Sequence, residues 1–501
     1  MRRIDPSTTE VPKSGALSDK LCAGLRSYAS LRLPAQVASW LGTVYVVRHL
    51  TSRAMGRYGV AFIVFTYLAM VYDGTLLEAL IQRPPLGARE KRAAFSLVIG
   101  IGLILALAAA VCAYPIARWV GDAAEAPLVF GVGAVIVLTS LAIVPHAMLA
   151  HEMEFPRLAT IGAVQSVCVT VTTVVLAWRG AGAWALLWGL IVGAGVRAVL
   201  LNAARWGLTW PTLNLSQAIG YLRFGGVLLV DNILWRWYIS LDTFLLGRWA
   251  GTPALGFYTL AQQTADLPLE KISRVVNDIS LPAYASLRDD PTASAGLLLE
   301  TMRTHATIGF PVFWGLGAIA SVLVPVVFGD PWRLAIFPLV ALSAVAPLRL
   351  IGGIETPAMT GLGCPRILVK TKTVIVPCMT VALLIGCWFG GIDGAAFAWA
   401  LVFPLCYGFA FRWVLRAAGV AYAQFLSVIR GPAVAAAVMV AGVLTWKWLS
   451  RSHGQPPWIA LLVGVPIGVV GYVATLRGVD PLAFRLARAR VGRLLGMKVS
   501  A

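Results

Sequence analysis

Apolar residues along this 501-residue chain neither alternate as in a strand nor confine themselves to one helical stripe; they come in long, nearly unbroken runs. A helix crossing about 30 Å of hydrocarbon needs roughly 20 such residues, because each advances the axis by about 1.5 Å. Runs of that kind recur near 28–47, 58–81, 94–117, 127–150, 157–178, 182–204, 218–247, 253–283, 299–328, 333–362, 367–389, 393–416, 424–449 and 457–477. They are numbered here as spans 1 to 14. Charge or Gly/Pro clusters such as Arg83-Pro84-Pro85 and Gly363-Cys364-Pro365-Arg366 separate them. The pattern predicts an all-α integral membrane protein of about 14 transmembrane helices.

Composition strengthens that reading. Apolar residues make up 59% of the chain and charged residues 13%, where soluble domains carry about 25% charged residues. That composition speaks against a water-soluble enzyme. The seven cysteines are scattered singly without a CxxC, which supports neither a disulfide framework nor zinc. His146, His151, Glu152 and Glu154 cluster in a short turn, but at the wrong spacing for a metalloprotease helix. Neither a Walker A nor a dinucleotide-binding glycine pattern occurs, so no metal, nucleotide or other cofactor is expected.

Lys and Arg total 41 against 22 Asp and Glu, a net charge of +19. On a polytopic protein such an excess marks cytoplasmic loops rather than a nucleic-acid partner. With both ends inside, about 27 basic residues fall on the cytoplasmic side and about nine outside. Residues 1–27 (Arg2, Arg3, Lys13, Lys20, Arg26) read as a basic cytoplasmic tail rather than a cleaved signal. Residues 479–501, with Arg485, Arg488, Arg490 and Arg493, read as a basic amphipathic segment on the inner leaflet lipids. No outer loop exceeds about a dozen residues, too few for an external catalytic domain, and the chain is not expected to be an enzyme.

Weak self-similarity divides the spans. Arg48-His49-Leu50 followed by Gly56-Arg57-Tyr58 resembles Arg248-Trp249-Ala250 followed by Gly256-Phe257-Tyr258. Pro145-His146-Ala147-Met148, then Pro156-Arg157, matches Pro357-Ala358-Met359, then Pro365-Arg366, and Ala183-Trp184-Ala185-Leu186 matches Ala398-Trp399-Ala400-Leu401. Three matches in order favour a six-plus-six duplication, with lobes at 28–209 and 210–418 and spans 13–14 (419–478) outside it. An even number of spans per lobe implies a pseudo-two-fold along the membrane normal, and transporters so built hold substrate between their halves.

Charges inside spans are expensive and normally face a cavity or a partner. Span 1 carries Arg32, Gln36, Ser39 and Thr43 on one face. Span 7 carries Asp231, Trp235, Tyr238 and Asp242, with Arg236 off that stripe. Span 8 is the most polar, with Asp266, Glu270, Arg274 and Asp278 at four-residue intervals, Lys271 beside them, and Pro268 expected to kink it. Span 2 adds Tyr72, Asp73 and Glu78, and span 10 adds Arg349 and Glu355. Any one of these can be a structural pair, Glu270 with Arg274 for example; clustered in both lobes, they favour a hydrated central cavity. Arg32, Gln36, Arg236, Lys271, Arg274 and Arg349 are the candidate substrate contacts, since guanidinium forks suit phosphate oxygens. Asp73, Glu78, Asp231, Asp242, Asp266, Glu270, Asp278 and Glu355 are the candidates for gating or for H+ or Na+ coupling.

Two stretches carry a family resemblance. The first runs Val47-Arg48-His49-Leu50, Gly56-Arg57-Tyr58-Gly59, Asp73-Gly74 and Ala79-Leu80-Ile81-Gln82-Arg83. The second runs Leu222-Arg223-Phe224-Gly225, Asp242 to Arg248, Leu255 to Tyr258, Leu267-Pro268, Lys271-Ile272, Pro282-Ala283-Tyr284 and Asp290. Together they resemble polysaccharide flippases of the multidrug/oligosaccharidyl-lipid/polysaccharide exporter superfamily, the colanic-acid-type subgroup in particular. His49 and Ser52-Arg53-Ala54 depart from the family pattern. The resemblance implies a two-lobed inner-membrane transporter that moves undecaprenyl-diphosphate-linked oligosaccharide repeat units outward, beside the polymerase and chain-length proteins of its pathway. It also adds Arg223 to the substrate candidates by position. A peptidoglycan-precursor flippase is the alternative. A polymerase or ligase would need a sizeable outer loop, and a drug–cation antiporter an acidic rather than basic cavity.

Overall fold

In a computed structural model the described residues are 38–71, 80, 88–120, 125–152, 154–204, 212, 236–237, 239–287, 290–364 and 366–494, and among them every regular element is helical. The chain is thus an all-helical, multi-pass membrane protein. The reason is physical: within hydrocarbon each backbone donor and acceptor must find its partner inside the segment, and a helix achieves this. The helices are α1 (38–49), α2 (Ser52–Val71), α3 (Ala88–Val120), α4 (Ala126–His151), α5 (Phe155–Trp178), α6 (Ala183–Ala204), α7 (239–249), α8 (Gly251–Ser286), α9 (Pro291–Leu323) and α10 (Ile336–Gly352). A short helix, Glu355–Gly361, follows, then α11 (366–390), α12 (392–417), α13 (Tyr422–Ser452), α14 (Pro457–Val479) and α15 (Pro481–Leu494).

Ten stretches among the described residues are long and apolar enough to cross a membrane. One of them, Arg366–Ala417, has 52 residues, a contour of about 78 Å as helix and far beyond one crossing. It reverses at Gly391, whose φ of 53° and ψ of −130° break the helical path. The two arms touch beside the reversal: a methyl group on Gly386 would meet the Gly394 carbonyl, and one on Gly394 the Gly386 carbonyl. Spans 11 and 12 are therefore a helical hairpin. By contrast α8 is not among the ten, because Asp266, Glu270, Lys271, Arg274 and Asp278 dilute its apolar character. The helix continues through Pro268 to Ser286.

Helix ends depart from the apolar runs where capping chemistry outweighs hydropathy. The run 299–328 predicts a later start than α9 has. Asp290 accepts from the backbone N–H groups of Thr292 and Ala293 at 3.0 and 2.9 Å, and Pro291 follows at the first helical position. That combination starts a helix regardless of polarity.

The chain divides into two compact units, Met1–Leu50 with Ala61–Arg118 and Ala123–Asn232, and Thr51–Val60 with Trp119–Asp122 and Ile233–Ala501. In the first, α6 lies against α4 and α5 around Ala142, Leu149, Ala198 and Leu201. Gly189 and Gly193 let α6 approach Thr173 and Val169 of α5, the small-residue packing on which helix association in lipid relies. The Arg197 guanidinium bonds His146 Nδ1 at 2.6 Å, and Asn202 donates to the Leu141 carbonyl.

In the second unit α8 and α9 each lie against α10, and α9 is backed by α13 and α14. Phe313, Ala346 and Leu350 form a core with Leu269 and Ile272. The Tyr472 hydroxyl donates to the Thr307 carbonyl at 2.8 Å, fixing α14 to α9. The start of α2 belongs here as well. A Cβ on Gly56 would strike the Thr252 carbonyl and one on Gly256 the Ser52 carbonyl, while one on Gly59 would crowd Thr259. The crossing is reciprocal, each glycine against the residue four positions before the other, as two-fold related helices would place them.

Candidate functional site: a carboxylate, two aromatic rings and an arginine

Within the second unit, α7 carries Asp242 fully buried. An ionised carboxylate in hydrocarbon needs partners for its lone pairs, and this one has four donors. Its Oδ1 accepts from the Thr243 backbone N–H at 2.7 Å and the Thr243 hydroxyl at 3.3 Å. Its Oδ2 accepts from the Tyr258 hydroxyl of α8 at 2.6 Å and the Trp399 indole N–H at 2.9 Å. Trp399 lies in a π-helical turn, Ala398–Val402, inside the returning arm of the hairpin. Such turns shift a side chain off the regular helical row and often mark functional positions.

On the same indole lies Arg349, from the last turn of α10, its Cζ 5.1 Å from the ring centroid. Its Nη1 donates to Asp266 Oδ1 of α8 at 2.8 Å, with the Arg349 side chain 10% exposed and that of Asp266 25%. The guanidinium is thus held between an aromatic ring and a carboxylate, with the indole tied through its N–H to a second carboxylate. Further along α12, Trp399, Phe403, Tyr407 and Phe411 follow at four-residue intervals with neighbouring centroids 5.6, 5.3 and 5.0 Å apart. The Tyr407 ring fills the space a side chain at Gly352 would need.

Of the residues singled out from the sequence, the structure joins Asp242, Asp266 and Arg349 into one chain of contacts. Glu355 is half-buried at the start of the short helix, with Tyr407 and Lys372 as neighbours. Arg236 is half-buried, whereas Glu270 and Lys271 lie exposed on α8. Arg274 and Asp278 lie within α8, their side chains outside the described residues. Arg32, Gln36, Asp73, Glu78, Arg223 and Asp231 fall outside the described residues altogether. Tyr258 and Trp399 were not expected at a site. Both stand in the repeated strings, and a polar-tipped aromatic opposite a lone acid was the signal available for them.

Comparison with known proteins agrees with this architecture. The sequence profile of the family described as "Polysaccharide biosynthesis protein" matches residues 45–336. The "Succinoglycan biosynthesis transport protein ExoT" of Rhizobium meliloti (strain 1021) is 26% identical over 463 residues, 89% of this chain and 92% of that one. The "Lipopolysaccharide biosynthesis protein WzxC" of Escherichia coli (strain K12) is 26% identical over 316 residues, 61% of this chain and 63% of that one. Among solved structures, "Lipid II flippase MurJ, inward closed conformation" superposes with a TM-score of 0.71 at 12% identity, over 90% of this chain and 98% of that one. A multidrug resistance MATE family transporter of the MOP superfamily, inward-facing, gives a TM-score of 0.59 at 17% identity, over 78% of this chain and 98% of that one. At those identities the structural likeness speaks to fold alone.

Proposed function

The chain belongs to the polysaccharide biosynthesis protein family, and on that premise we propose that it flips undecaprenyl-diphosphate-linked oligosaccharide repeat units from the cytoplasmic to the periplasmic leaflet of the bacterial inner membrane. Both termini are cytoplasmic in this reading, the lobes are the duplicated halves 28–209 and 210–418, and no bond of the substrate is made or broken. The relatives named for succinoglycan transport and lipopolysaccharide biosynthesis support the substrate class. A diphosphate and a string of sugars cannot cross about 30 Å of hydrocarbon unaided, since every charge and hydroxyl would lose its water. A transporter solves this by sheltering the head while the lipid tail stays in the bilayer, then exposing the head on the other side by alternating access.

The observation that carries the reading is Arg349. A guanidinium on a membrane-embedded helix, fixed by Trp399 and Asp266, offers N–H donors to phosphate oxygens in a low-dielectric setting. Arg32, Gln36, Arg223, Arg236, Lys271 and Arg274 complete the proposed contact set. Asp73, Glu78, Asp231, Asp266, Glu270, Asp278 and Glu355 are the proposed gating or H+/Na+-coupling groups, and the polymerase and chain-length proteins of the pathway the proposed partners.

Deleting the gene is expected to make lipid-linked repeat units accumulate on the cytoplasmic leaflet, shielded from an impermeant probe in intact spheroplasts, while sugar transfer onto the lipid continues. Accumulation on the outer leaflet would refute a flippase. A peptidoglycan-precursor flippase is the second reading, since a lipid II flippase shares this fold. That reading requires the same deletion to trap peptidoglycan precursor instead.

A further inference from the structure

Asp242 stands apart from the other embedded acids. Three of its four donors come from Thr243, its neighbour in sequence, and from Tyr258. The fourth is the indole of Trp399, 157 residues away. The carboxylate is therefore anchored to α7 and α8 and reaches across to α12 with one remaining direction. Trp399 is 1% exposed. An indole N–H so buried requires an acceptor, and the acceptor it finds fixes the plane of the ring. On that ring rests Arg349. Attraction between a cation and an aromatic ring depends on the ring's orientation, because only the faces carry negative potential.

We propose that Asp242 is a positioning residue for the transported diphosphate: it holds the indole of Trp399, which in turn sets the orientation of the Arg349 guanidinium. Asp266 takes one N–H of that guanidinium at 2.8 Å, and the ring face sets the plane in which the group lies. The inference rests on the reading of Arg349 as a substrate contact. It assigns Asp242 a role in binding geometry rather than in ion coupling.

The chemistry of an amide makes the test sharp. Asn at 242 has one acceptor oxygen where the carboxylate has two, so it cannot serve Thr243 and the Tyr258–Trp399 pair together. Phe at 399 keeps an aromatic face but loses the N–H. Full-length protein in detergent is titrated with farnesyl diphosphate, a soluble polyprenyl diphosphate, by calorimetry. Asp242→Asn and Trp399→Phe are each expected to weaken binding about three- to tenfold, and Arg349→Ala by at least about tenfold. In an Arg349→Ala background the first two substitutions are expected to add nothing, because residues acting through one group are not additive.

Equal weakening by Asp242→Asn with and without Arg349 would overturn the proposal and make Asp242 a general structural group. So would unchanged affinity in Asp242→Asn and Trp399→Phe when Arg349→Ala is impaired. Tyr258→Phe removes a donor to the same carboxylate while leaving Trp399 intact. It is expected to weaken binding less than Trp399→Phe, which keeps the test decisive if Asp242→Asn fails to fold. Binding by the unsubstituted protein that Arg349→Ala leaves unchanged would refute the role of Arg349 itself. No binding by the unsubstituted protein would refute the diphosphate reading.

Discussion

The two strings that resemble each other along the chain share glycines and tyrosines but differ in the residues around them. At the offset that relates Gly56 to Gly256 and Tyr58 to Tyr258, the position matching Asp242 is Gly42. Around Asp242 the second copy builds a saturated carboxylate and the ring on which Arg349 rests. Around Gly42 the first copy brings α1 so near α5 that a Cβ would touch the Thr170 methyl group. Trp184, the counterpart of Trp399, is 39% exposed rather than 1%. At Asp266 the first copy has Thr66, whose hydroxyl turns back to its own helix at Phe62. At these matched positions the packing residues coincide while the interior residues differ. Packing constrains shape, which both copies need, whereas a buried acid is worth its desolvation only where a function or a full set of donors accompanies it.

The largest expected effect tests the shared part. At Gly56 and Gly256 the obstacle to a side chain is a backbone carbonyl in each case, and a backbone cannot step aside as a flexible side chain would. Gly256→Val and Gly56→Val are each expected to cost about 4 kcal/mol or more and to abolish accumulation of folded protein. Membrane fractionation followed by thermal unfolding in detergent reads this out. Normal levels of both variants would mean that the crossing opens without penalty and is no fixed part of the fold.

The next effect separates the copies. Asp242→Leu strands the Tyr258 hydroxyl and the Trp399 indole N–H in an apolar interior, at about 1–3 kcal/mol for each unsatisfied group. Asp242→Leu combined with Tyr258→Phe and Trp399→Phe removes those two donors along with the acceptor. It is expected to regain most of the lost unfolding temperature while remaining defective in export. Failure of the triple variant to regain stability would show that packing around Asp242, rather than hydrogen bonding, is what the single change destroys.

How far these features could be read beforehand follows the same division. Membrane spans were legible because hydrocarbon imposes length and apolarity on each helix. The hairpin at Gly391 and the crossing at Gly56 and Gly256 both fall on positions that the apolar runs or the repeats had marked. The site was half legible. Embedded acids and arginines stand out against apolar neighbours, so Asp242, Asp266 and Arg349 are legible as candidates, but their partnership is not. Arg349 meets Asp266 across 83 residues and Asp242 meets Trp399 across 157, distances over which no local spacing rule operates. Trp399 escaped notice because a tryptophan in an apolar helix looks like packing until its N–H finds an acceptor. The early start of α9 was hidden for another reason, since capping by Asp290 acts outside the hydropathy pattern.

A smaller effect sharpens the contrast between the tryptophans. Trp184→Phe is expected to change stability by no more than about 0.5 kcal/mol, as for an exposed residue without a buried partner. Trp399→Phe removes a buried hydrogen bond to a carboxylate and is expected to cost about 1.5–3 kcal/mol. Unfolding midpoints of the two variants, measured side by side, should therefore separate. Coinciding midpoints would erase the distinction between the copies at this position.

The smallest effect concerns the helices outside the repeat. Asp480 sits between α14 and α15 and serves both sides of the junction. Its Oδ1 accepts from the Ala483 backbone N–H at 3.0 Å, capping α15, and pairs with Arg303 of α9 at 3.4 Å. Gly431 of α13 leaves the room it occupies, since a Cβ there would collide with the aspartate side chain. A helix cap is worth about 1 kcal/mol, and a partly exposed ion pair of this length no more than about that. Neither figure threatens a fold whose helices are held by lipid and by one another. The loss should instead be local: in Asp480→Ala, amides in 481–494 are expected to exchange faster by about tenfold while the global unfolding midpoint stays put. Arg303→Ala removes the pair but leaves the cap, so exchange should rise by less. If Arg303→Ala loosens α15 as much as Asp480→Ala does, the attachment to α9 rather than the cap holds this basic helix in place.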